Sequence, residues 1–206
     1  MRIFDISMTI QPDMMVYRNQ ESKRPVHVIE RQIPPDTVND STLTLNLHTG
    51  THIDSPFHMT ADGYATEFLN LEKLITRCRV LDLTAVTDGI SQSDLMELKI
   101  EAGDFLLLKT RNSYSDNFDP AFIYLKADGA AYLAERRIKG VGIDSLGIER
   151  AQPNHETHLA LLKQEIIIIE GLRLKDVPAG EYNLIALPLK IRNADGAPMR
   201  AILTCD

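Results

Sequence analysis

Hydrophobic and polar positions alternate over short stretches along much of the chain, and this two-residue period predicts β-strands. The predicted strands are residues 2–7, 26–33, 42–48, 78–83, 104–110, 140–144, 166–170, 182–189 and 200–204. The runs FLLL and IIII within them contain no polar position, which is typical of strands covered on both faces.

Three stretches have a helical pattern instead: 91–99, 120–137 and 153–163. The first opens with a serine and the other two open with prolines, which suit a first helical turn. Buried strands combined with helices predict an α/β fold with a mixed sheet and flanking helices. The 206 residues contain no internal repeat and no linker rich in Gly, Pro or Ser, so we expect one domain over 1–206.

The composition excludes several classes of protein. Lys and Arg number 22 against 29 Asp and Glu, and the net charge of −7 would repel a phosphate backbone, so no nucleic-acid partner is expected. No apolar run approaches the roughly 20 residues of a membrane-spanning helix. The N-terminus reaches Asp5 without a sustained apolar stretch, which is unlike a signal peptide, and we expect a cytoplasmic location. Cys78 and Cys205 are expected to be free thiols.

The run HTGTHIDSPFH at 48–58 contains a candidate metal site. Apolar and polar residues alternate through 42–48, and if that strand continues, His48, His52 and Asp54 project to one face. Two imidazoles and a carboxylate suit Zn²⁺, or Mn²⁺, Fe²⁺ or Ni²⁺. The alternative is a hydrogen-bonded polar face without metal, but three of the six histidines fall within this run, which favours the metal.

Further candidate ligands lie in NHETHLALLKQEIIIIEG at 154–171. His155 and His158 are three residues apart and could share a helix face, although only one need be a ligand. Glu170 ends an apolar run, so its carboxylate would be buried and would need a cation or hydrogen-bond donors. The alternatives are a histidine on a helix surface and a glutamate at an exposed strand end, and the pattern does not choose between them.

Lys109 and Arg111 follow the FLLL run and could bind the carboxylate of a substrate. An ordinary exposed strand end is an equal alternative. His27 has no companion and is assigned no role.

Six segments together resemble the putative cyclase family, which contains bacterial kynurenine formamidases and isatin hydrolases. These segments are HTGTHIDSPFH, LLLKTRNS, VGIDSLGIE, HLALL, IIIIEGL and IALPLKIRNADGAPMRAIL. The resemblance covers nearly the whole chain, and its most specific motif is HxGTHxDxPxH. It implies a swivelling β/β/α fold that assembles as a homodimer or homotetramer.

By this resemblance, one metal ion is held by His48, His52 and Asp54. In members with two ions, Asp54 also contacts a second ion, which is held by His158 and Glu170. Zinc is our first choice, as one or two ions, and manganese is an alternative.

The resemblance also implies the reaction: a metal-dependent, arylformamidase-like hydrolase that cleaves an amide, lactam or ester of a small molecule. Metal lowers the pKa of water toward about 7, so hydroxide could attack the carbonyl, and His58 is the expected general acid and base. Kynurenine formamidases carry a Pro-Gly-Asp turn after an N-terminal aromatic residue, whereas Tyr17 here precedes Arg-Asn-Gln, and the chain has no Trp. The sequence therefore does not identify N-formylkynurenine as the substrate.

Two alternatives come from other classes of protein. A catalytically silent metal or small-molecule binding module on the same fold would not need His58. A cupin-like metal dioxygenase would also use two histidines and a carboxylate, but the sequence lacks the repeated hairpin glycines of that barrel.

Overall fold

In a computed structural model that describes residues 1–205, the strands form one eight-stranded sheet and two small two-stranded sheets. The strands are β1 Arg2–Asp5, β2 Val26–Arg31, β3 Asp40–Thr44, β4 His52–Asp54, β5 Ile75–Asp82, β6 Gly89–Ile90, β7 Phe105–Lys109, β8 Tyr124–Leu125, β9 Gly140–Ile143, β10 Ile167–Glu170, β11 Gly180–Pro188 and β12 Gly196–Cys205. The α-helices are α1 Gln92–Met96, α2 Ala127–Glu135 and α3 Glu156–Leu162.

All strands of the large sheet except β1 form a closed barrel in the order β12-β11-β5-β7-β9-β10-β4, and β4 pairs with β12 to complete the ring. The pairs from β5 to β10 are parallel and the others are antiparallel. Strand β12 can close the ring because it is long: its first residues pair with β4, and its last residues pair with β1. The mixed α/β architecture confirms the prediction, whereas the closure of the sheet was not predicted.

The core has two parts, one on each side of the barrel wall. Alternate side chains of a strand face opposite sides, so Phe105 and Leu107 pack inside the barrel while Leu106 and Leu108 pack against the helices. Six of the barrel strands contribute to the inner part, and β9 contributes none. A Cβ on Gly142 of β9 would lie 2.8 Å from Leu107, so the absence of a side chain there makes room for the neighbours. The FLLL and IIII runs are buried throughout, as predicted.

Among the predicted boundaries that the structure corrects, three concern the strand before the metal-site run and the two longer helices. The strand predicted at 42–48 ends at Thr44, so it does not continue to His52. The helix predicted from residue 120 begins only at Ala127, because Tyr124 and Leu125 are extended and pair with β6. The helix predicted from residue 153 begins only at Glu156, because the preceding residue has a left-handed backbone that interrupts a helix.

Two further expectations concern the whole chain. No α-helix among residues 1–205 has the length and apolar character needed to cross a bilayer. Cys78 and Cys205 are free thiols, as predicted.

Candidate metal centre

The predicted site residues come together where strands β4 and β10 meet helix α3. Strand β4 pairs with β10 so that His52 lies opposite Glu170. Ile53, between the two β4 ligand candidates, packs inside the barrel, so His52 and Asp54 face outward. His158, on α3, approaches the same outer face.

His48 reaches this face from a turn rather than from a strand, which corrects the expected geometry. The Thr49 N–H closes this turn by donating to the Asn46 carbonyl at 3.1 Å, and Gly50, with a φ of +69°, bends the chain between His48 and His52. The Thr51 hydroxyl donates to the Gly171 carbonyl at 2.6 Å, which ties the turn to the end of β10. Gly196 of β12 makes room for His48, because a Cβ there would lie 2.7 Å from its imidazole ring.

Asp54 lies at the middle of the group. One carboxylate oxygen is 2.8 Å from His48 Nδ1 and 3.6 Å from His52 Nε2. Its other oxygen is 3.4 Å from His158 Nε2. Because the Asp54 side chain is only 1% exposed, it can interact with several ligand candidates at once without competing water.

Glu170 is the second buried carboxylate, and its oxygens are 3.3 Å from His52 Nε2 and 3.5 Å from His158 Nε2. The alternative of an exposed strand-end glutamate is therefore wrong. The alternative of a surface histidine is also wrong for His158, which is 7% exposed. His155 instead precedes α3, is largely exposed and contacts Glu149.

The donor atoms fit a divalent cation. His52 Nδ1 donates to the Gly50 carbonyl at 2.9 Å, which leaves Nε2 as the basic nitrogen of this imidazole. Buried His52 Nε2 and Asp54 Oδ2 have no hydrogen-bond partner among the described residues. Ligand-forming atoms of His52, Asp54 and Glu170 lie within 4.8 Å of one another, as do those of His48, Asp54 and His58. Imidazole nitrogens and carboxylate oxygens suit zinc or manganese.

The pKa values show how strongly these groups interact. Burial raises the pKa of Asp54, but the close imidazole of His158, the hydrogen bond with His48 and the imidazole of His52 hold it well below its usual range. Burial and the Asp54 charge raise the pKa of Glu170, but His158 and His52 bring it down to about 2. Burial lowers the pKa of His48, but Asp54 and a second carboxylate raise it to about 9. Metal and protons therefore compete for these groups, and metal binding should release protons.

Asp195 is the second carboxylate that contacts His48, and sequence reasoning did not identify it. Its Oδ2 is 2.9 Å from His48 Nε2 and 3.5 Å from His58 Nδ1. In the sequence it stands in an Asn-Ala-Asp-Gly stretch that reads as an ordinary turn. Burial lowers the pKa of His58, and the positive charges of His48 and His158 lower it further. The negative charges of Asp54 and Glu170 oppose this shift without reversing it.

Glu149 is another residue that sequence reasoning did not assign. It is 7% exposed, and its Oε2 lies 3.0 Å from His158 Nδ1 and accepts from the His158 backbone N–H at 3.2 Å. The 3.0 Å pair is not aligned as a hydrogen bond, so we regard it as a charge contact. Its other oxygen contacts His155. Glu149 therefore fixes the position of a candidate ligand.

A cavity of about 200 Å³ opens onto the centre. It is lined by histidines, by Glu149 and Glu170, and by residues of the N-terminal segment, including Tyr17 and Lys23. Lys109 and Arg111 are not part of this lining. Lys109 is buried and donates to the carbonyls of Lys175 and Val177, and Arg111 donates to the Thr87 carbonyl, so neither forms the predicted substrate contact here.

Known proteins with similar sequences and structures point to one family. A kynurenine formamidase of Salinibacter ruber is 33% identical, covering 98% of this chain and 97% of its own. A kynurenine formamidase of Bacillus mycoides is 36% identical over 81% of this chain and 80% of its own. A solved structure from Bacillus stearothermophilus, described as a predicted metal-dependent hydrolase, is 45% identical, with a TM-score of 0.90 over 98% of this chain and 97% of its own.

An isatin hydrolase bound to thioisatinate has the same fold, with a TM-score of 0.86 at 21% identity over 99% of this chain and 92% of its own. The model of the family described as putative cyclase matches residues 4–150. With this match and with relatives similar over nearly its whole length, the chain belongs to the putative cyclase family of metal-dependent hydrolases.

Proposed function

We propose that this hydrolase acts as an arylformamidase on a small aromatic substrate. In this reaction, water adds to the formyl carbon of an N-formyl arylamine, the C–N bond breaks, and the products are the free amine and formate. One observation carries the proposal: buried Asp54 lies between the imidazoles of His48 and His158, and both of these line a cavity large enough only for a small molecule. The curated relatives named kynurenine formamidase support the same reaction class.

We assign the ligands as the family resemblance implies. His48, His52 and Asp54 would hold one ion, and Asp54, His158 and Glu170 a second. The short contacts of both Asp54 oxygens support this shared role. A cation held by these residues would supply a Lewis acid that lowers the pKa of water and polarises a carbonyl.

His58 is the proposed proton carrier. It follows Pro56 in a short 3-10 turn at the edge of the cavity, and its ring centroid is 4.2 Å from that of His48. From there it can accept a proton from water and deliver it to the departing amine nitrogen. Asp195 is 3.5 Å from His58 Nδ1 and can orient the ring so that Nε2 faces the cavity.

The finer assignments are also proposals. We propose residues 1–206 as one hydrolase domain of the swivelling β/β/α type, zinc as the native metal with manganese as the alternative, a homodimer or homotetramer, and a cytoplasmic location. Metal analysis of the purified protein tests the metal, and light scattering during gel filtration tests the assembly.

The test of function compares three proteins: wild type, His58→Ala and Asp54→Asn. N-formylkynurenine, formanilide, a lactam and an ester are supplied with and without chelator. We expect formamide hydrolysis that the chelator removes. His58→Ala should retain metal and lose about 10²–10⁴-fold in kcat, whereas Asp54→Asn should lose metal as well.

Activity that survives chelation would exclude the metal mechanism. Full turnover by His58→Ala would show that His58 does not carry the proton. Metal binding without hydrolysis of any compound would favour the catalytically silent module. The cupin-like dioxygenase does not fit this fold, because the parallel pairs from β5 to β10 are foreign to an antiparallel jelly roll.

A further inference from the structure

We propose that Lys23 and Tyr17 form a subsite that binds a carboxylate carried on the aromatic ring of the substrate. This inference rests on the proposed function, because it names a substituent of the same substrate. It assigns a role to an N-terminal segment that has no metal ligand and yet forms part of the cavity wall.

Lys23 is the single Lys or Arg among the residues that line the cavity. Within residues 1–205, no carboxylate lies within 4.0 Å of its ammonium group, whereas the next residue, Arg24, is paired with Glu21 and donates to the Met14 carbonyl. Lys23 is half-buried. A cation that is partly removed from water and has no carboxylate partner is suited to an anionic ligand.

The backbone of Lys23 is fixed relative to the metal centre. Its N–H donates to the Gln20 carbonyl at 3.0 Å, and its carbonyl accepts from the Thr49 hydroxyl at 2.9 Å. Thr49 directly follows His48, so the candidate ligand and the Lys23 backbone are held by one short segment. The side chain that carries the ammonium group therefore extends from a fixed backbone position beside the cavity.

Tyr17 supplies an aromatic wall beside this cation. Its ring lies edge-on to Phe118 at 5.6 Å and to Phe122 at 6.3 Å, which holds it in place. The Lys23 ammonium lies 5.3 Å from the Tyr17 ring centroid. An aromatic substrate lying against Tyr17 would thus bring a ring substituent close to Lys23.

The other charges of the cavity do not neutralise Lys23. Glu149 contacts His155 and His158, and Glu170 contacts His52 and His158. These carboxylates are engaged with imidazoles, or with metal when metal is bound. The cavity lining therefore combines ligand candidates of the metal centre with one cation that has no carboxylate partner, which suits an aryl formamide that also bears a carboxylate.

The experiment uses matched pairs of compounds that differ in one charge. The 2-, 3- and 4-formamidobenzoates are compared with the corresponding formamidobenzamides on wild type, Lys23→Gln and Arg18→Gln. Arg18 is the matched control, because its guanidinium also lies 5.3 Å from the Tyr17 ring centroid but the residue is exposed and does not line the cavity.

In Lys23→Gln we expect kcat/KM for the preferred formamidobenzoate to fall about tenfold or more, through KM, because a charge-assisted hydrogen bond is lost. The benzamide should change by less than about twofold, and Arg18→Gln should change neither compound by more than that. A benzoate could also bind the metal directly, but that contact would survive in Lys23→Gln. Equal effects on benzoate and benzamide, or none, would overturn the subsite.

Failure of the proposed function gives a different result. If wild type hydrolyses none of these formamides, the subsite can still be tested by measuring, with calorimetry, how the same compounds bind to the metal-containing protein. Selective loss of benzoate binding in Lys23→Gln would support the subsite, and equal binding of benzoate by wild type and Lys23→Gln would overturn it.

Discussion

At the scale of single residues, the centre depends on groups that hold the ligands as well as on the ligands. Glu149 contacts both the backbone N–H and the ring of His158, and Gly50 accepts from His52. Such partners fix the ring orientation of a ligand and make its free nitrogen more basic.

We therefore expect Glu149→Gln to weaken metal binding about 10–100-fold, because the charge contact with the His158 ring is lost while the shape is kept. Competition with a chromogenic chelator measures this affinity without any substrate. The control is Glu165→Gln, an exposed residue beyond α3, which should bind metal as wild type does. Unchanged affinity in Glu149→Gln would show that Glu149 does not position His158.

At the scale of elements, the centre forms where two turns touch. Gly171 follows the last residue of β10 and has a φ of +69°, and a Cβ there would lie 2.2 Å from the Gly50 carbonyl oxygen. The two glycines allow the loop between His48 and His52 to press against the end of the strand that carries Glu170.

Gly171→Ala should lower the free energy of unfolding by more than about 2 kcal/mol and weaken metal binding, because the clash separates the two halves of the centre. Gly103→Ala is the control: its φ is +84° but nothing lies within 4 Å, so only the backbone strain of about 1 kcal/mol is expected. Urea unfolding and metal titration measure both effects. Equal losses in the two variants would contradict the proposed clash.

Two neighbouring parallel strands are joined at their ends by Asp144, which follows β9. Its carboxylate accepts from the Thr110 N–H at 2.8 Å and from the Ser113 hydroxyl at 2.7 Å, both beyond the end of β7. Burial raises the pKa of Asp144, and although the hydrogen bonds from Thr110 and Ser113 oppose this, its value is raised from 3.8 to about 6.

The folded state therefore holds the Asp144 proton more tightly than the unfolded chain does. Its contribution to stability is complete below about pH 4 and is lost, by roughly 3 kcal/mol, as the pH rises to about 6. Urea unfolding of wild type and Asp144→Asn, both in chelator, isolates this contribution. Over this range wild type should lose stability relative to the variant, and parallel curves would refute the assignment.

Sequence patterns predicted the strands better than their arrangement. The alternation and apolar runs located β7 and β10, because burial acts on each residue separately. The barrel depends on pairings such as Gly196 with Asp54, which are distant in sequence and leave no local period. The convergence of His48 with His52 was expected from an extended strand, but it arises from the turn at Gly50.

Site residues divide in the same way. The histidines of the motif at 48–58 could be predicted as site residues because they cluster in sequence. Asp195 and Lys23 lie in segments with no such clustering, and only the folded chain brings them to the cavity. Lys109, by contrast, follows a buried strand and was a candidate for binding the substrate carboxylate, but its ammonium group donates hydrogen bonds to backbone carbonyls.

At the scale of the whole molecule, the metal should stabilise the fold. Asp54 and Glu170 are two neighbouring buried carboxylates, and a ligand that binds only the folded state raises its stability. Adding chelator should therefore lower the melting temperature of wild type by several degrees, and excess Zn²⁺ or Mn²⁺ should restore it. Asp54→Asn, lacking a shared ligand, should melt at a temperature that chelator does not change. A wild type that is equally insensitive would argue against bound metal.

The pairing of β12 with β4 also sets an order of events during synthesis. The ligand strand β4 ends at Asp54, but the partner that closes the ring beside it begins only at Gly196. At about 5–20 residues per second, a ribosome needs about 7–28 seconds to make the intervening chain. Until residue 196 is made, the ring beside Asp54 cannot close, so a nascent chain halted before that point should be cleaved readily by protease, whereas the released full-length chain should resist.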